Sequence, residues 1–347
     1  MSTTPSGSTS STPSAITTTP PSKSSIHKIA IMTSGGDAPG MNAAIRAAVR
    51  MAIYKNLEVV GILGGYSGIL NDQYQPLYLR SVANIIQRGG TILKTARCAE
   101  FFKPEYRKIA VDKLRGQNID GLICIGGDGS FRGAHLLNHE HGFKTVGVPG
   151  TIDNDIFGTD NTIGFDTAVN TALDAIDRIR DTAASHDRLF IVEVMGRNSG
   201  FIAAEVGLAG GAEVIFTPEY LFPIDQAVNQ IKTAVSKGKM SSIIIAAEGQ
   251  KSGRAYDLAE AIRKKSGFEA KVCILGHIQR GGTPTATDRI LASRLGASAV
   301  EALLNGETNC MMGVNGQKLV KVPFESIYNN KKDNPRELIE LAQVLSL

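Results

Sequence analysis

The feature that most constrains the fold is a repeated order of apolar run, glycine-rich turn and helix, which begins at Ile26. The runs at 26–32, 121–125 and 189–194 all end at turns with glycine, and 40–54 has apolar residues at helical spacing. Further runs lie at 57–63, 145–148, 242–247 and 272–275. Strands alternating with helices predict an α/β protein with mainly parallel sheets covered by helices. Ligands in such folds bind beyond the carboxyl ends of the strands.

Three further helices are predicted from their starts. One begins at Asp166, with Val169 on its apolar face. Another is expected to begin near Gly133. The last is predicted to have Asn334 as its cap and Pro335 at its first helical position, a favourable start.

Composition excludes several classes of protein. With 42% hydrophobic and 20% charged residues, the chain is expected to fold as a soluble protein, and its 347 residues suffice for two lobes. A net charge of +4 is too mild for a nucleic-acid binder, so no nucleic acid is expected as a partner. No stretch approaches the ~20 apolar residues of a membrane helix, and no membrane contact is expected.

The first 25 residues are almost entirely Ser, Thr, Pro and Gly. Such a segment cannot bury enough apolar surface to offset its ordering entropy, so residues 1–25 are predicted to be a disordered tail. It has neither a signal-peptide core nor an arginine.

The cysteines have no metal-ligand spacing. They are Cys98, Cys124, Cys273 and Cys310, with no CxxC pair among them. Free thiols in a reducing cytoplasm are expected.

The segment GGDGS, residues 126–130, directly follows an apolar strand. Its glycines allow the backbone to approach a polyphosphate, and the following helix can present its N-terminal N–H groups to anionic oxygens. Asp128 is a hard oxygen ligand suited to Mg²⁺. A tight turn with an exposed aspartate is the structural alternative. The segment TSGGDAPGMN, residues 33–42, repeats this phosphate-binding pattern at another strand end.

The segment PGTIDND, residues 149–155, places two carboxylates after an apolar strand. Transfer of a phosphoryl group to an alcohol needs a group that accepts the hydroxyl proton, and Asp153 is the candidate. Asp155 is a candidate to assist the metal. An Asx turn is the structural alternative.

Several arginines stand where they can contact phosphate oxygens. Arg197 follows one strand, Arg280 and His277 follow another, and Glu248 ends a third, where a carboxylate can accept a sugar hydroxyl. Arg97 lies in a polar loop and Arg188 precedes a strand. A solvated or ion-paired surface residue is the alternative for each arginine, and a turn cap is the alternative for Glu248. By spacing alone, Arg46 and Arg50 only solvate the surface of the first helix.

Together these segments resemble the bacterial-type ATP-dependent 6-phosphofructokinases. TSGGDAPGMNAAIR, IGGDGS, PGTIDND, DRIRDTAASH, VEVMGR and GHIQRGGTP occur in the family's order, and the resemblance spans about 26–327. It implies the phosphofructokinase fold, with two Rossmann-like lobes. The implied nucleotide-binding lobe is 26–163 plus 277–327, and the implied fructose 6-phosphate lobe is 164–276 plus 328–347.

The resemblance also implies roles for individual residues. The nucleotide and metal positions are Gly36, Arg97, Cys98, Gly127, Asp128, Gly129 and Ser130, with Asp128 on Mg²⁺. Asp153 matches the catalytic base, and Thr151 and Arg97 match its catalytic partners. The positions that match fructose 6-phosphate contacts are Thr151, Asp153, Arg188, Met195, Gly196, Arg197, Glu248, Lys271, His277 and Arg280.

A neighbouring subunit supplies two of these contacts in the family, so a homotetramer with shared sites is implied. Arg188 matches the first, whereas Lys271 stands where an arginine is usual and lacks its bidentate fork. The implied effector positions between subunits are Arg46, Arg50, Arg180, Glu213, Lys237 and Lys239. The loop after Arg97 is longer than the family's usual one.

The identity of the phosphoryl donor is argued from two glycines. Pyrophosphate-dependent relatives typically have Asp at the position of Gly129 and Lys at that of Gly150. Glycine at both favours a nucleotide, with ATP as the default donor and ADP as the second possibility.

Two different kinds of protein compete with this interpretation. A nucleotide or lipid kinase that shares GGDG would explain residues 126–130, but it does not explain the later motifs. A sensor that binds nucleotide and sugar phosphate without turnover would be expected to lose Asp128 or Asp153, and both are present.

Overall fold

The structure is a computed structural model that describes residues 26–183, 189–220, 222–238 and 242–346. The predicted tail, residues 1–25, lies outside the described residues. The strands are β1 (Lys28–Ser34), β2 (Glu58–Ile62), β3 (Tyr74–Pro76), β4 (Gly121–Gly126), β5 (Lys144–Pro149), β6 (Leu189–Val194), β7 (Val214–Phe216), β8 (Ser242–Ala247), β9 (Ala270–Ile274), β10 (Cys310–Asn315) and β11 (Lys318–Pro323).

The helices alternate with these strands over most of the chain. They are α1 (Met41–Tyr54), α2 (Gly65–Leu70), α3 (Pro104–Gly116), α4 (Asp128–His141), α5 (Phe165–Ala183), α6 (Phe201–Ala209), α7 (Ile224–Ser236), α8 (Arg254–Ser266), α9 (Ala286–Leu304), α10 (Phe324–Asn329) and α11 (Arg336–Leu345). Short 3₁₀ turns occupy Glu100–Phe102 and Gly276–Arg280.

The strands form two sheets, each the centre of a lobe. The first lobe contains a seven-stranded sheet in the order β11-β10-β5-β4-β1-β2-β3, and the second contains a four-stranded sheet in the order β7-β8-β6-β9. The ladders β10–β11 and β2–β3 are antiparallel, and the other ladders in the two sheets are parallel. The predicted fold class, α/β with mainly parallel sheets, is confirmed.

The apolar core follows from these layers. One buried cluster includes α1, α9 and α5 with residues of both sheets, such as Ile123 and Ile245. A second cluster covers the other face of the first sheet, and a third covers the other face of the second sheet. The central strands are buried on both faces and are therefore continuous apolar runs rather than alternating ones, whereas the edge strands β3, β9 and β11 are partly exposed.

Two predicted helix starts are wrong. The helix after GGDGS begins at Asp128, not near Gly133, because Gly127 is its N-cap in an extended conformation and the motif itself forms the first turn. The last helix begins at Arg336, so Pro335 is the N-cap residue rather than the first helical one, and its ψ of 40° is not helical. The helix predicted from Asp166 begins one residue earlier, at Phe165.

The four cysteines are free thiols, as predicted; Cys124 and Cys310 are buried. Burial raises the pKa of Cys124 to about 12, which makes this thiol unreactive at neutral pH. Across the described ranges, we find no helix with both the length and the apolar character that a membrane crossing requires.

Candidate active site

Three glycine-rich loops leave the first sheet side by side. Gly126 at the end of β4 pairs with Ser34 at the end of β1 and with Pro149 at the end of β5. The loops TSGGD, GGDGS and PGTIDND therefore start from the same edge of the sheet, as the rule for parallel strands predicts.

Two of these loops contact each other so closely that only glycine fits. A Cβ on Gly126 would lie 2.5 Å from the backbone oxygen of Ser34 and 2.6 Å from Oγ of Ser130. Gly129, in the first turn of α4, has open space around its Cβ position. Asp128 is the first residue of α4, exposed and 3.9 Å from Arg132. The N-terminus of α4 thus offers N–H groups and an aspartate beside empty space, a suitable place for phosphates and a cation.

The loop after β5 contains the predicted base. Asp153 is 8% exposed, and its Oδ1 is buried without a hydrogen-bond partner among the described residues. Its amide donates to Oγ1 of Thr151 at 3.3 Å. Burial raises the pKa of Asp153 above its usual value, Arg197 and Arg280 oppose the rise, and Glu248 adds to it. A buried carboxylate oxygen with no partner is available to accept a proton from a ligand.

Asp155 lies in the same loop and is exposed to solvent. Although the residue is partly open to solvent, burial of its carboxyl by the surrounding protein is the main cause that raises the pKa of Asp155 to about 6, and the charges of Asp153 and Asp128 add to the rise. These three aspartates therefore interact across the loops of the first sheet. A nearby cation would relieve the repulsion that Asp155 experiences from the other two.

The loops of the second sheet are also adjacent. Val194 at the end of β6 pairs with Ala247 at the end of β8, and Glu193 pairs with Ile274 at the end of β9. The loop after β6 turns sharply, since Gly196 has φ 132° and Arg197 has φ 52°. A left-handed conformation is uncommon for arginine, and it persists only where the surrounding structure stabilises the turn.

A cleft of about 420 Å³ lies beside the loops of the second sheet. Arg97 comes to it from the first lobe, and the second lobe contributes Met195, Arg197, Asn198, Glu248, Gly249, Gln250 and Ser252. His277 and Arg280 also line it, from the 3₁₀ turn after β9. The structure therefore brings together six residues that the sequence predicted separately, namely Arg97, Met195, Arg197, Glu248, His277 and Arg280.

Arg280 connects this cleft to the glycine-rich loops of the first sheet. A Cβ on Gly36 would lie 2.5 Å from Nη1 of Arg280, so the guanidinium packs directly on the TSGGD loop. Nε of Arg280 is buried and has no hydrogen-bond partner in the described part of the chain. The arginine thus lies between the glycine-rich loops and the cleft, and the N–H at its Nε is still available to donate a hydrogen bond.

Two buried residues that shape the site were not predicted from the sequence. Glu193 is 1% exposed, and its carboxylate accepts hydrogen bonds from Oγ of Ser252 at 3.0 Å and from the amides of Gly253 and Ala255 at 2.8 Å. It thereby fixes the loop between β8 and α8, which lines the cleft. The sequence feature that could have identified Glu193 is its position inside the apolar run LFIVEV, because a buried carboxylate requires partners.

Gln279 is the second missed residue. It is 0% exposed; its Oε1 accepts the amide of Met195 at 2.8 Å, and its Nε2 donates to the backbone oxygen of Ala168 at 3.3 Å. It thus ties the turn with His277 and Arg280 to the loop after β6. No pattern in the sequence distinguished it from an exposed glutamine.

The remaining predicted positions are less tightly grouped. Cys98 is half-buried beside Arg97, and Lys271 is exposed on β9. Arg188 lies outside the described residues.

The predicted effector residues lie in both lobes. Arg46 and Arg50 are on α1 of the first lobe. Arg180 of α5 donates to the backbone oxygens of Gly210 and Gly211, next to Glu213, whose Oε2 accepts the amide of Ile243. Lys237 is exposed at the end of α7, and Lys239 lies outside the described residues.

The residues present fit a magnesium ion. No group of three His, Cys, Asp or Glu side chains within the described ranges forms a complete metal cage. Mg²⁺ is usually held by one or two carboxylates together with waters and substrate phosphates. Asp128 and Asp155 are both exposed, and the charge of Asp128 raises the proton affinity of Asp155, which suits that mode.

This arrangement defines a class of protein. The site combines phosphate loops at a helix N-terminus, exposed carboxylates suited to magnesium, and a buried carboxylate that interacts with Arg197 and Arg280 of the cleft. These are the parts of a phosphoryl-transfer site.

Comparison with known proteins identifies the family. The family model for phosphofructokinase matches residues 28–303, and the chain belongs to that family. It is 58% identical over 322 residues to ATP-dependent 6-phosphofructokinase 1 of Thermus thermophilus, covering 92% of this chain and 99% of the relative. It is 53% identical to the ATP-dependent 6-phosphofructokinase of Halalkalibacterium halodurans, with the same coverage.

Solved structures of phosphofructokinases share the fold of this chain. Phosphofructokinase from Saccharomyces cerevisiae aligns with a TM-score of 0.82 at 38% identity, over 92% of this chain and 48% of the yeast chain, so this chain spans about half of it. A pyrophosphate-dependent phosphofructokinase from Marinobacter aquaeolei aligns with a TM-score of 0.79 at 25% identity, over 90% of this chain and 86% of the other. The fold is therefore shared with a pyrophosphate-dependent enzyme and does not by itself decide the donor.

Proposed function

We infer that this chain is an ATP-dependent 6-phosphofructokinase, which transfers the γ-phosphoryl group of ATP to the 1-hydroxyl of fructose 6-phosphate, giving fructose 1,6-bisphosphate and ADP. The high identity to enzymes of that name over 92% of the chain supports this function. One structural observation supports the proposed phosphoryl transfer most directly. Asp153 has a buried Oδ1 without a hydrogen-bond partner among the described residues, and its carboxyl is close enough to Arg197 and Arg280 of the cleft to interact with their charges.

Asp153 is proposed as the catalytic base. Its position orients the attacking hydroxyl, and its raised pKa makes it a better proton acceptor than an ordinary aspartate. Thr151 holds the loop, since its Oγ1 accepts the amide of Asp153. Because phosphoryl transfer demands little covalent chemistry from the protein, positioning supplies most of the rate enhancement.

The donor phosphates are proposed to bind along the glycine loops. Gly36, Gly127 and Gly129 are proposed to present backbone N–H groups there, and Ser130, whose own amide donates to the oxygen of Gly127, is proposed to contribute its side chain. Arg97 stabilises charge on the transferring group, and Cys98 lies beside it. Asp128 and Asp155 would hold Mg²⁺, which when bound offsets the charge of the donor phosphates.

Gly129 and Gly150, the two glycines that favour a nucleotide as phosphoryl donor, have different surroundings. An aspartate at 129 would enter open space beside the proposed phosphate site and repel the donor. A side chain at 150 would start 3.0 Å from Cε of Met41 and 3.1 Å from Cγ2 of Ile125, so a lysine there requires repacking. Both positions favour a nucleotide over pyrophosphate.

The acceptor is proposed to bind in the cleft of the second lobe. Arg197, Arg280 and His277 face the sugar phosphate, and Glu248 accepts a sugar hydroxyl. Met195 and Gly196 shape the wall. With these assignments, the nucleotide-binding lobe is 26–163 plus 277–327 and the fructose 6-phosphate lobe is 164–276 plus 328–347.

The active assembly is proposed to be a homotetramer. Lys271, which is exposed on β9, is proposed to contact the sugar phosphate of a neighbouring subunit, and Arg188 is proposed to do the same. The predicted effector residues, Arg46, Arg50, Arg180, Glu213, Lys237 and Lys239, are proposed to bind an effector where subunits meet. A fully active monomer in analytical ultracentrifugation would contradict the shared site. The cytoplasmic location stays a prediction.

The function is tested by product identity. Purified protein is incubated with ATP, Mg²⁺ and fructose 6-phosphate, and the product is identified by ³¹P NMR. A second phosphomonoester on carbon 1 is the expected result, and chelation of Mg²⁺ should abolish it. Hydrolysis of ATP with no sugar bisphosphate would contradict the proposal.

A further inference from the structure

Lys332 lies in the segment between α10 and α11, where the chain passes from the first lobe to the second. Its Nζ donates to Oδ1 of Asn154 at 2.9 Å and to the backbone oxygen of Asp160 at 2.7 Å. The same ammonium lies 4.8 Å from the ring centroid of Phe201, the first residue of α6. One side chain therefore contacts both the loop of Asp153 and a helix of the other lobe.

Asn154 is the residue between the two loop carboxylates. It is 2% exposed with φ 51°, a left-handed conformation that asparagine tolerates better than most residues. Its Oδ1 also accepts the amide of Thr162 at 3.1 Å, and its Nδ2 donates to the oxygen of Asp160 at 3.1 Å. This turn sends the flanking side chains of Asp153 and Asp155 in their different directions, so whatever holds Asn154 holds them.

The ammonium is partly removed from water to reach this position. Burial lowers the pKa of Lys332 to about 8, while the carboxylates of Asp160, Asp155 and Glu205 oppose the shift. Asp155 and Asp160 face it from the loop, and Glu205 faces it from α6. A lysine is buried at such a cost only where its hydrogen bonds and charge partners compensate.

We propose that Lys332 is a positioning residue for phosphoryl transfer, which holds Asn154 and so fixes the catalytic loop against α6 of the second lobe. The proposal rests on the proposed function, since Asp153 is its catalytic base. Lys332 acts through Asn154 rather than on the substrate, so its loss should lower kcat more than it changes KM.

The first test compares Lys332→Met with Lys331→Met, an exposed neighbour on the same segment. Lys332→Met should lower kcat by about 10- to 100-fold, the effect of a small misplacement of a catalytic group, with little change in KM for either substrate. Lys332→Arg, which keeps the charge, should recover most of the loss, and Lys331→Met should match wild type. A wild-type kcat in Lys332→Met overturns the proposal. If Lys332→Met does not fold, Lys332→Gln takes its place.

The route through Asn154 is tested with a double-mutant cycle. If Lys332 acts by holding Asn154, the double variant Lys332→Met/Asn154→Ala should have about the kcat of Asn154→Ala alone. Fully additive losses would overturn this route.

Hydrogen exchange tests the role of Lys332 independently of the proposed enzymatic function. In the ligand-free protein, amides of 150–163 should exchange faster in Lys332→Met than in wild type or Lys331→Met. If wild type lacked phosphofructokinase activity, the proposed function would fail while the exchange result still decided whether Lys332 holds the loop. Unchanged exchange at 150–163 overturns the proposal whatever the activity.

Discussion

Oγ of Ser199 donates a 2.6 Å hydrogen bond to the backbone oxygen of Asp153, and so joins the loop after β6 directly to the loop after β5. Ser199 is 4% exposed, so its removal leaves a buried carbonyl oxygen without this partner. This one contact ties the acceptor side of the cleft to the proposed base.

Replacement of Ser199 should therefore affect both stability and turnover. Ser199→Ala should lower the free energy of unfolding by about 1–3 kcal/mol, the usual cost of an unsatisfied buried group. It should also lower kcat, by roughly tenfold, because the base loses one anchor. Thermal unfolding and steady-state kinetics measure the two effects. Ser236→Ala is the matched control, since that hydroxyl is exposed on α7. Equal kcat in the two variants would show that the contact has no role in turnover.

Asp153→Asn removes the proposed proton acceptor without changing the size of the side chain. We expect kcat to fall by about 10²- to 10⁴-fold, the usual contribution of a general base, while the protein stays folded. Asp177→Asn, at an exposed position on α5, should retain full activity. Circular dichroism checks the fold. Retention of most of the turnover in Asp153→Asn would show that another group accepts the proton.

The raised pKa of Asp153 predicts the form of the pH profile. Burial keeps this carboxyl protonated to a higher pH than an ordinary aspartate, and only the deprotonated form can accept the hydroxyl proton. Activity should therefore rise with pH through a pKa above the ordinary value of about 4, and should be lost as pH falls below it. The dependence of kcat/KM on pH, measured across acidic pH, provides the test, because it reports groups of the free enzyme. An acid limb at or below about 4 would contradict the assigned environment of Asp153.

Gly36 is expected to control the position of Arg280. In Gly36→Ala the new Cβ would lie 2.5 Å from Nη1, so the guanidinium must move. KM for fructose 6-phosphate should rise by about tenfold, as the weakening of one charged hydrogen bond implies. Gly116→Ala is the control, because its Cβ would meet nothing within 4 Å. An unchanged KM would mean that Arg280 does not need the space above Gly36.

The sequence predicted the parts of the fold that follow from hydrophobic runs and glycine turns. It predicted most of the strands of both sheets, because strands buried on both faces are continuous apolar segments. It did not predict β3, β7, β10 or β11. Val214–Phe216 is too short to show a pattern, and the hairpin of β10 and β11 has Lys318 and Lys321 on its outer strand. The start of α4 was placed too late because glycines were read as a loop, whereas Gly127 caps the helix.

Most residues of the candidate site were predicted because their side chains follow the ends of strands. The structure groups Arg97, Arg197 and Arg280 around one cleft. Glu193, Gln279 and Lys332 were not found, because they act through contacts with residues distant in the sequence. Their hydrogen bonds reach Ala255, Met195 and Asn154, respectively, and no local pattern encodes such partners.

The most direct test of the central claim compares phosphoryl donors. Initial rates with fructose 6-phosphate and Mg²⁺ are measured with ATP, ADP and pyrophosphate in parallel, for wild type and for Gly129→Asp, whose added carboxylate enters the open space at the start of α4. We predict turnover by wild type with ATP alone, and a loss of that turnover in Gly129→Asp through repulsion of the donor phosphates. Turnover of wild type with pyrophosphate or ADP instead of ATP would contradict the assignment.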